Sequence, residues 1–205
     1  MAQSLGSLLH LEGNPTQWLR GRLAGKTVLV VGAGSRDLPL PLPKPSWASI
    51  AADGATSYCL ERGFVPDLIV TDLDGCIEDE VEANANGSAV LVHAHGDNEP
   101  ALTTWVPRFH GKVLGSVAAA PRGNLVNYGG FTDGDRAIFL AEEMRAREVI
   151  LSRFNLEDGI ARSTGRHRQK LAVALHLIET VAERGQLPIR RVTAEGVVPW
   201  EVRSP

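Results

Sequence analysis

PDLIVTDLDG, residues 66–75, is the stretch on which the fold turns. Leu68, Ile69 and Val70 form a brief apolar run with no polar residue interleaved, and Asp72 and Asp74 end it abruptly. A short unbroken run closed by turn residues reads as a strand buried on both faces, and such strands belong to parallel sheets covered by helices. The same grammar recurs on either side. Upstream stand TVLVVG at 27–32 and ASIAAD at 48–53; downstream stand AVLVHA at 89–94, GKVLGSV at 111–117 and EVILS at 148–152.

Helical stretches fall between these runs. ATSYCLERG closes at Gly63, DGDRAIFLAEEMRA follows a Gly-Gly pair, and 166–184 repeats Leu171, Ala174, Leu175, Ile178 and Val181 at helical spacing. A first helix is expected over 14–25, with Asn14 as its N-cap, Pro15 at the first helical position and Gly25 at its end. Strand and helix in alternation predict an α/β fold: an open, mostly parallel sheet with helices on both faces, Rossmann-like in plan. PLPLPKP at 39–45 is a rigid extended loop, since proline cannot occupy a helix interior. With no internal repeat and no long linker, one domain is expected over 1–205: the helix at 14–25, a motif-bearing core at 27–185 and a short C-terminal extension.

Composition narrows the function classes. A chain of 205 residues, 43% of them hydrophobic, can bury a sizeable core without staples. Its apolar runs are far too short to cross a bilayer and its first residues lack a leader pattern, so a cytoplasmic protein with no membrane partner is expected. Cys59 and Cys76 are too few and too isolated for a disulfide framework or a zinc site. A net charge of −3 gives no reason to expect nucleic acid, while a homo-oligomer is left open. Between Arg62 and Arg108 lie nine acidic residues and no Lys or Arg. Glu78, Asp79, Glu80 and Glu82 read as a solvated helix face. The others sit at strand ends and ask for a cation.

In open parallel sheets, ligands bind beyond the carboxyl ends of the strands, where this sequence places AADGA, TDLDG and HAHGDN. Asp72 and Asp74 stand two apart, so on extended backbone their carboxylates leave one face and could share Mg²⁺. An Asp-rich turn is the plain alternative. His93, His95 and Asp97 alternate in the same way; His95 is read as a phosphate or substrate contact and His93 as structural. Gly32 and Gly34 of GAGS, and Asp53 of AADGA, are further cofactor-binding candidates, with a helix cap the alternative for Asp53.

NYGGFTDGDRA adds a second group. Gly129 and Gly130 allow close approach of the backbone, and a helix starting near Thr132 or Asp133 offers free N–H groups to phosphate. Asp133 and Asp135 would repel that phosphate unless a metal ion or Arg136 lies between, so both are candidate metal ligands; otherwise they complement the helix dipole. In STGRHRQK, 163–170, Arg166, His167, Arg168 and Lys170 stand at a helix N-terminus, where polyphosphate would compensate the cations; side chains extending into water are the equal alternative.

PDLIVTDLDG, VHAHGDN and NYGGFTDGDRA, in that order, resemble the archaeal 6-hydroxymethyl-7,8-dihydropterin diphosphokinase family, whose fold is related to thiamin diphosphokinase; the resemblance runs over 27–177. It implies Mg²⁺-dependent transfer of diphosphate from ATP to a reduced pterin, giving AMP and the pterin diphosphate used in folate or methanopterin synthesis. Carried onto matching positions, it implies metal or phosphate roles for Asp72 and Asp74. It adds His95, Asp97, Asn98, Thr132, Asp133, Asp135 and Arg136 to the site. Two departures stand out: GSVAAAP replaces a GTTQ-like turn, and the proline-rich loop replaces a short helix after GAGS. A thiamin diphosphokinase and a catalytically silent nucleotide-binding module remain the alternatives.

Overall fold

The computed structural model describes residues 14–202. The first helix, α1 (Pro15–Leu23), starts as expected: the Asn14 side-chain oxygen accepts from the Gln17 N–H and proline leads the first turn. Then come β1 (Thr27–Val31), β2 (Ala48–Ala52), α2 (Ala55–Glu61), β3 (Leu68–Thr71), α3 (Ile77–Ala85), β4 (Ala89–Ala94) and α4 (Glu99–Trp105). The chain continues through β5 (Val113–Val117), β6 (Leu125–Val126), α5 (Asp133–Glu143), β7 (Glu148–Ser152), α6 (Leu156–Arg162) and α7 (Gly165–Arg184), and closes on β8 (Ile189–Thr193) and β9 (Gly196–Pro199).

All nine strands join one sheet in the order β6-β5-β4-β3-β2-β1-β7-β8-β9. Every pair is parallel except β8 with β9, so the sheet is open and mostly parallel, as the apolar runs predict. From β1 the chain first walks one way to β6, then returns to lay β7 on the other flank of β1. Between β1 and β7 the direction of winding reverses, which is where such sheets open a ligand crevice.

Side chains alternate across each strand and both faces are covered. Val28, Val30, Ile50, Val70 and Leu151 pack with residues of α1, α5 and α7, including Leu19, Ile138 and Ile178. On the opposite face, Ile69, Val90 and Val92 meet Ile77 of α3 and Leu102 of α4, while Leu29, Val31 and Ala51 meet Ala55 and Tyr58 of α2. Burial on both faces explains why these strands lack the polar alternation of a half-exposed sheet.

One expectation fails on α3. Glu78 and Glu82 are exposed, yet Glu80 is 0% exposed, so the acidic run is not wholly a solvated face. Neither Glu80 oxygen finds a hydrogen-bond partner among the described residues. Burial first, then the charge of Asp53, pushes its carboxyl up to about 9. The folded chain therefore holds this proton at neutral pH, whereas an unfolded glutamate with the ordinary value of 4.5 has lost it. The stability that Glu80 contributes is complete below that ordinary value and is lost as pH rises through about 9. Glu80→Gln, neutral at every pH, is expected to flatten the fall in melting temperature between about pH 5 and about pH 9, measured in EDTA. An unchanged slope would show that Glu80 is ionised in the folded chain.

Candidate active site at the carboxyl edge of the sheet

Parallel registry sets the ends of β1, β2, β3, β4 and β7 along one edge. There Asp53 follows β2 and Asp72 follows β3, and each of Asp53, Asp72 and Asp74 offers a carboxylate oxygen within 4.8 Å of the others. Sequence spacing explains the pairing of Asp72 with Asp74 for the wrong reason. The backbone between them is not extended: Leu73 has φ +66 and is 3% exposed, so a left-handed turn anchored in the core swings Asp74 back toward Asp72. The Leu73 N–H donates to Thr71 Oγ1 at 2.9 Å, and that hydroxyl donates to Asp53 Oδ1 at 3.0 Å. Asp53 Oδ1 also accepts the Gly75 N–H at 3.2 Å, and Asp53 crowds the place a side chain at Gly75 would take. Asp53 itself stands at φ +46; such non-glycine conformations cost about 1–3 kcal/mol each and persist where surrounding contacts over-determine them.

The trio fits a hard divalent cation. Asp72 Oδ1 is buried and has no hydrogen-bond partner among the described residues, while Oδ2 lies 3.2 Å from His95 Nε2. An orphaned carboxylate oxygen among two more carboxylates is costly without a counter-charge. Octahedral Mg²⁺ with ligand distances of about 2.0–2.1 Å wants such oxygens, with water and substrate completing the shell. Burial first, then the charge of Asp74, raises the carboxyls of both Asp53 and Asp72 above the ordinary range, so the site strains against its own charge.

Asp133 lies beside the trio: burial, then Asp72 and Asp53, push its carboxyl well up. Asp135 does not join it. Asp135 is 1% exposed, and its Oδ1 accepts the N–H groups of Phe131 at 2.6 Å and Thr132 at 2.9 Å, completing a capping box at the start of α5. This corrects the expectation that Asp135 is a metal ligand, because its lone pairs are committed to the helix end. Asp135→Asn, which keeps an acceptor oxygen, is expected to retain near-normal turnover and lose at most about 1 kcal/mol of stability. A loss of Mg²⁺ activation in that variant would return Asp135 to the metal site.

Several other predicted residues serve the scaffold. The Asn98 amide donates to the carbonyls of Asp72 and His93, both at 2.8 Å, and its Oδ1 accepts from the His95 N–H at 3.0 Å. It ties the loops after β3 and β4 together, with its amide spent on backbone, so it is not free to bind a cofactor. His93 is 2% exposed against Ser116 Oγ at 2.9 Å, and burial drives its ring down to about 3, which suits the structural reading. His95 sits between Asp72 and Asp97, its Nδ1 2.6 Å from Asp97 Oδ1. Gly129 and Gly130 do not face the cavity described next; side chains there would meet Phe139 at 3.0 Å and Arg136 Cα at 2.6 Å, so glycine serves packing against α5. Arg136 donates to the Phe131 carbonyl at 3.3 Å and is electrostatically linked to Asp133, Asp135 and Asp72.

Beside the trio, at the β1–β7 reversal, opens a cavity of about 420 Å³. Gly32, Gly34 and Thr132 line it together with three acids, Asp53, Asp74 and Asp133. From α7 come His167, Lys170, Leu171 and Ala174, which share one helix face at 3.6-residue periodicity. Lys170 thus lines the cavity, whereas Arg166 and Arg168, equally exposed, do not. His167 takes their place. Arg153, Phe154 and Asn155, which also line the cavity, were missed. The signal was available: they follow the EVILS strand as Asp72 follows LIVT, and the strand-end rule applies equally to both.

The family model described as 6-hydroxymethylpterin diphosphokinase MptE-like matches residues 3–157. The chain is 42% identical over 154 residues to the 6-hydroxymethyl-7,8-dihydropterin pyrophosphokinase of Methanothermobacter thermautotrophicus, covering 69% of this chain and 66% of the relative. It is 49% identical to the protein of that name from Pyrococcus furiosus, over 62% of this chain and 55% of the relative. With that of Methanocaldococcus jannaschii, identity is 34% over 194 residues, 83% of this chain and 80% of the relative. The chain thus spans somewhat under two thirds of the length of the first two relatives. Among solved structures, thiamine pyrophosphokinase from Bacillus subtilis aligns with a TM-score of 0.48 at 17% identity, over 82% of this chain and 60% of its own.

Proposed function

This chain belongs to the 6-hydroxymethylpterin diphosphokinase MptE-like family, and from that premise we propose that it moves the terminal diphosphate of ATP onto the hydroxymethyl oxygen of 6-hydroxymethyl-7,8-dihydropterin. The observation that carries the reading is the carboxylate trio with its orphaned Asp72 Oδ1, two of whose members, Asp53 and Asp74, line a cavity that Lys170 and His167 also line. Acids and bases lining one cavity suit a polyphosphate with its cation.

In this reading Asp53, Asp72 and Asp74 hold Mg²⁺, with Asp133 at its edge. The bound cation supplies neutralisation of the phosphate oxygens. Lys170 and His167 neutralise the phosphates from the helix side, and the apolar surfaces of Phe154, Leu171 and Ala174 receive the nucleoside. His95 steadies Asp72 through Oδ2 and leaves Oδ1 without a protein partner among the described residues. The pterin hydroxyl oxygen attacks the β-phosphorus in line, the bond from that phosphorus to the α–β bridging oxygen breaks, AMP departs with that oxygen, and the hydroxyl proton passes to solvent. Positioning and charge account for such a transfer. Both substrates are small soluble molecules, consistent with work in the cytoplasm; no helix among the described residues is long and apolar enough to cross a membrane.

Incubation with ATP and Mg²⁺, assayed for AMP with the reduced pterin, with thiamin or with no acceptor, tests the proposal. AMP release that depends on the pterin is the expected result. Release with thiamin, or none with either alcohol, would overturn it.

A further inference from the structure

The two loops that flank the winding reversal are latched to each other by residues that no motif marks. Arg153, the first residue past β7, is 6% exposed and holds φ +62, a conformation its β-carbon disfavours. Its Nε donates to the Ser35 carbonyl at 3.1 Å and its Nη2 to the Gly34 carbonyl. The guanidinium lies 4.1 Å from the centre of the Tyr58 ring of α2. Two residues on, Asn155 Oδ1 accepts the Ser35 N–H at 3.0 Å. The Arg153 carbonyl and the Asn155 side chain both crowd Gly34, so no side chain fits there. The Gly34–Ser35 stretch is therefore held on its carbonyl side by one residue and on its N–H side by another.

We propose that Arg153 is a positioning residue for the nucleotide: with Asn155 and the Tyr58 face, it holds residues 32–35 in the shape that walls the cavity at the β1–β7 reversal. The inference rests on the reading that this cavity takes ATP. Its necessity follows from the chain. Between β1 and β2 no helix forms, and residues 32–47 run as turns and extended backbone. Two further side-chain ties join this segment to distant elements: the Ser152 hydroxyl of β7 donates to the Pro39 carbonyl at 3.3 Å, outside residues 32–35, and Arg36 pairs with Glu61 at 2.8 Å, exposed at both ends and contributing little. Without the latch, ATP would have to order the wall as it binds, and affinity falls by that ordering. The carboxylates stand on β2 and β3 and the acceptor approaches them, so neither depends on the latch.

Arg153→Met keeps the length of the stem and removes the fork of donors. Expected is a rise of about tenfold or more in both KM for ATP and Kd for a non-hydrolysable ATP analogue, with kcat at saturating ATP and KM for the pterin little changed. Arg153→Lys, with a single compact ammonium, recovers part of the loss. Asn155→Ala, which leaves the strained Arg153 backbone in place, moves the same parameters in the same direction, so the test stands even if Arg153→Met folds poorly. Tyr58→Phe, which keeps the ring face, binds the analogue as wild type does. Arg153→Met and Asn155→Ala proteins that bind the analogue within about twofold of wild type, or that lose kcat and both KM values alike, would overturn the latch. The binding arm separates the two readings. If wild type binds the analogue but transfers diphosphate to no alcohol, the proposed reaction fails while the latch is still judged by Arg153→Met. If wild type binds no nucleotide, the latch fails with it.

Discussion

Asp72→Asn is expected to slow diphosphate transfer by about a hundredfold while leaving the metal-free protein at least as stable as wild type. Its basis is the charge of the site. Burial first, then repulsion from Asp74 and Asp53, raises the half-buried Asp72 carboxyl above the ordinary range. An amide of the same shape keeps the packing, removes one like charge and so relieves the folded state. In the proposed reading the same change takes away a metal ligand. A lost ligand contribution of roughly 3 kcal/mol in the transition state corresponds to about a hundredfold in rate. Turnover at saturating Mg²⁺ and melting temperature in EDTA are measured on the same preparation. Near-normal turnover would remove Asp72 from the metal site, and a loss of activity that tracks unfolding would make Asp72 a structural residue. Asp79→Asn on α3, outside the trio, serves as the control and is expected to be nearly silent.

Chelation is expected to abolish transfer altogether, and titration of Mg²⁺ into the chelated protein to raise its melting temperature. The three carboxylates repel one another when the protein is folded and are separated when it is unfolded. A cation that binds only the folded trio stabilises it by mass action, about 2.7 kcal/mol at a hundred times its dissociation constant. The rise should shrink as pH falls, because the raised Asp53 and Asp72 carboxyls take up protons in place of the cation. In Asp72→Asn the Mg²⁺-dependent rise should be small. Full turnover in excess EDTA, or no thermal response to Mg²⁺ in wild type, would count against the site as built here.

The sheet was legible because its central strands are buried on both faces, and double burial writes itself as an unbroken apolar run. LIVT, AVLVHA and EVILS became β3, β4 and β7 almost residue for residue. Strand β8 was not legible: IRRVT carries two arginines, since β8 lies toward the sheet edge and its middle is only half-buried. Strand β6, two residues long, leaves no periodicity to read. Among site residues, Asp72 and Asp74 could be found from their spacing, though the αL turn at Leu73 rather than an extended strand unites them. Asp53 could be suspected only as a binder, because its membership of the trio depends on β2 and β3 lying side by side. For Asp135 the cap was written locally, in a threonine three residues before an aspartate, and that short-range signal outweighs the metal reading. Arg153 and Asn155 have no local signal for their partners, which are set by β1 and β7 pairing across 121 positions of sequence.

That long pairing also sets an order of assembly. During synthesis β1 leaves the ribosome early and can gain β2 at once, but its other edge waits for β7, and Thr27 meets Glu148 only after most of the chain exists. Long-range parallel pairing forms slowly because loop closure must be met before contacts reward it. The carboxylate trio, drawn from 53–74, can therefore take shape while the cavity at the β1–β7 reversal still lacks Arg153, Lys170 and the whole of α7. A nascent chain released before about residue 150 would carry the trio without that cavity, and would expose the bare edge of β1 to any strand that passes.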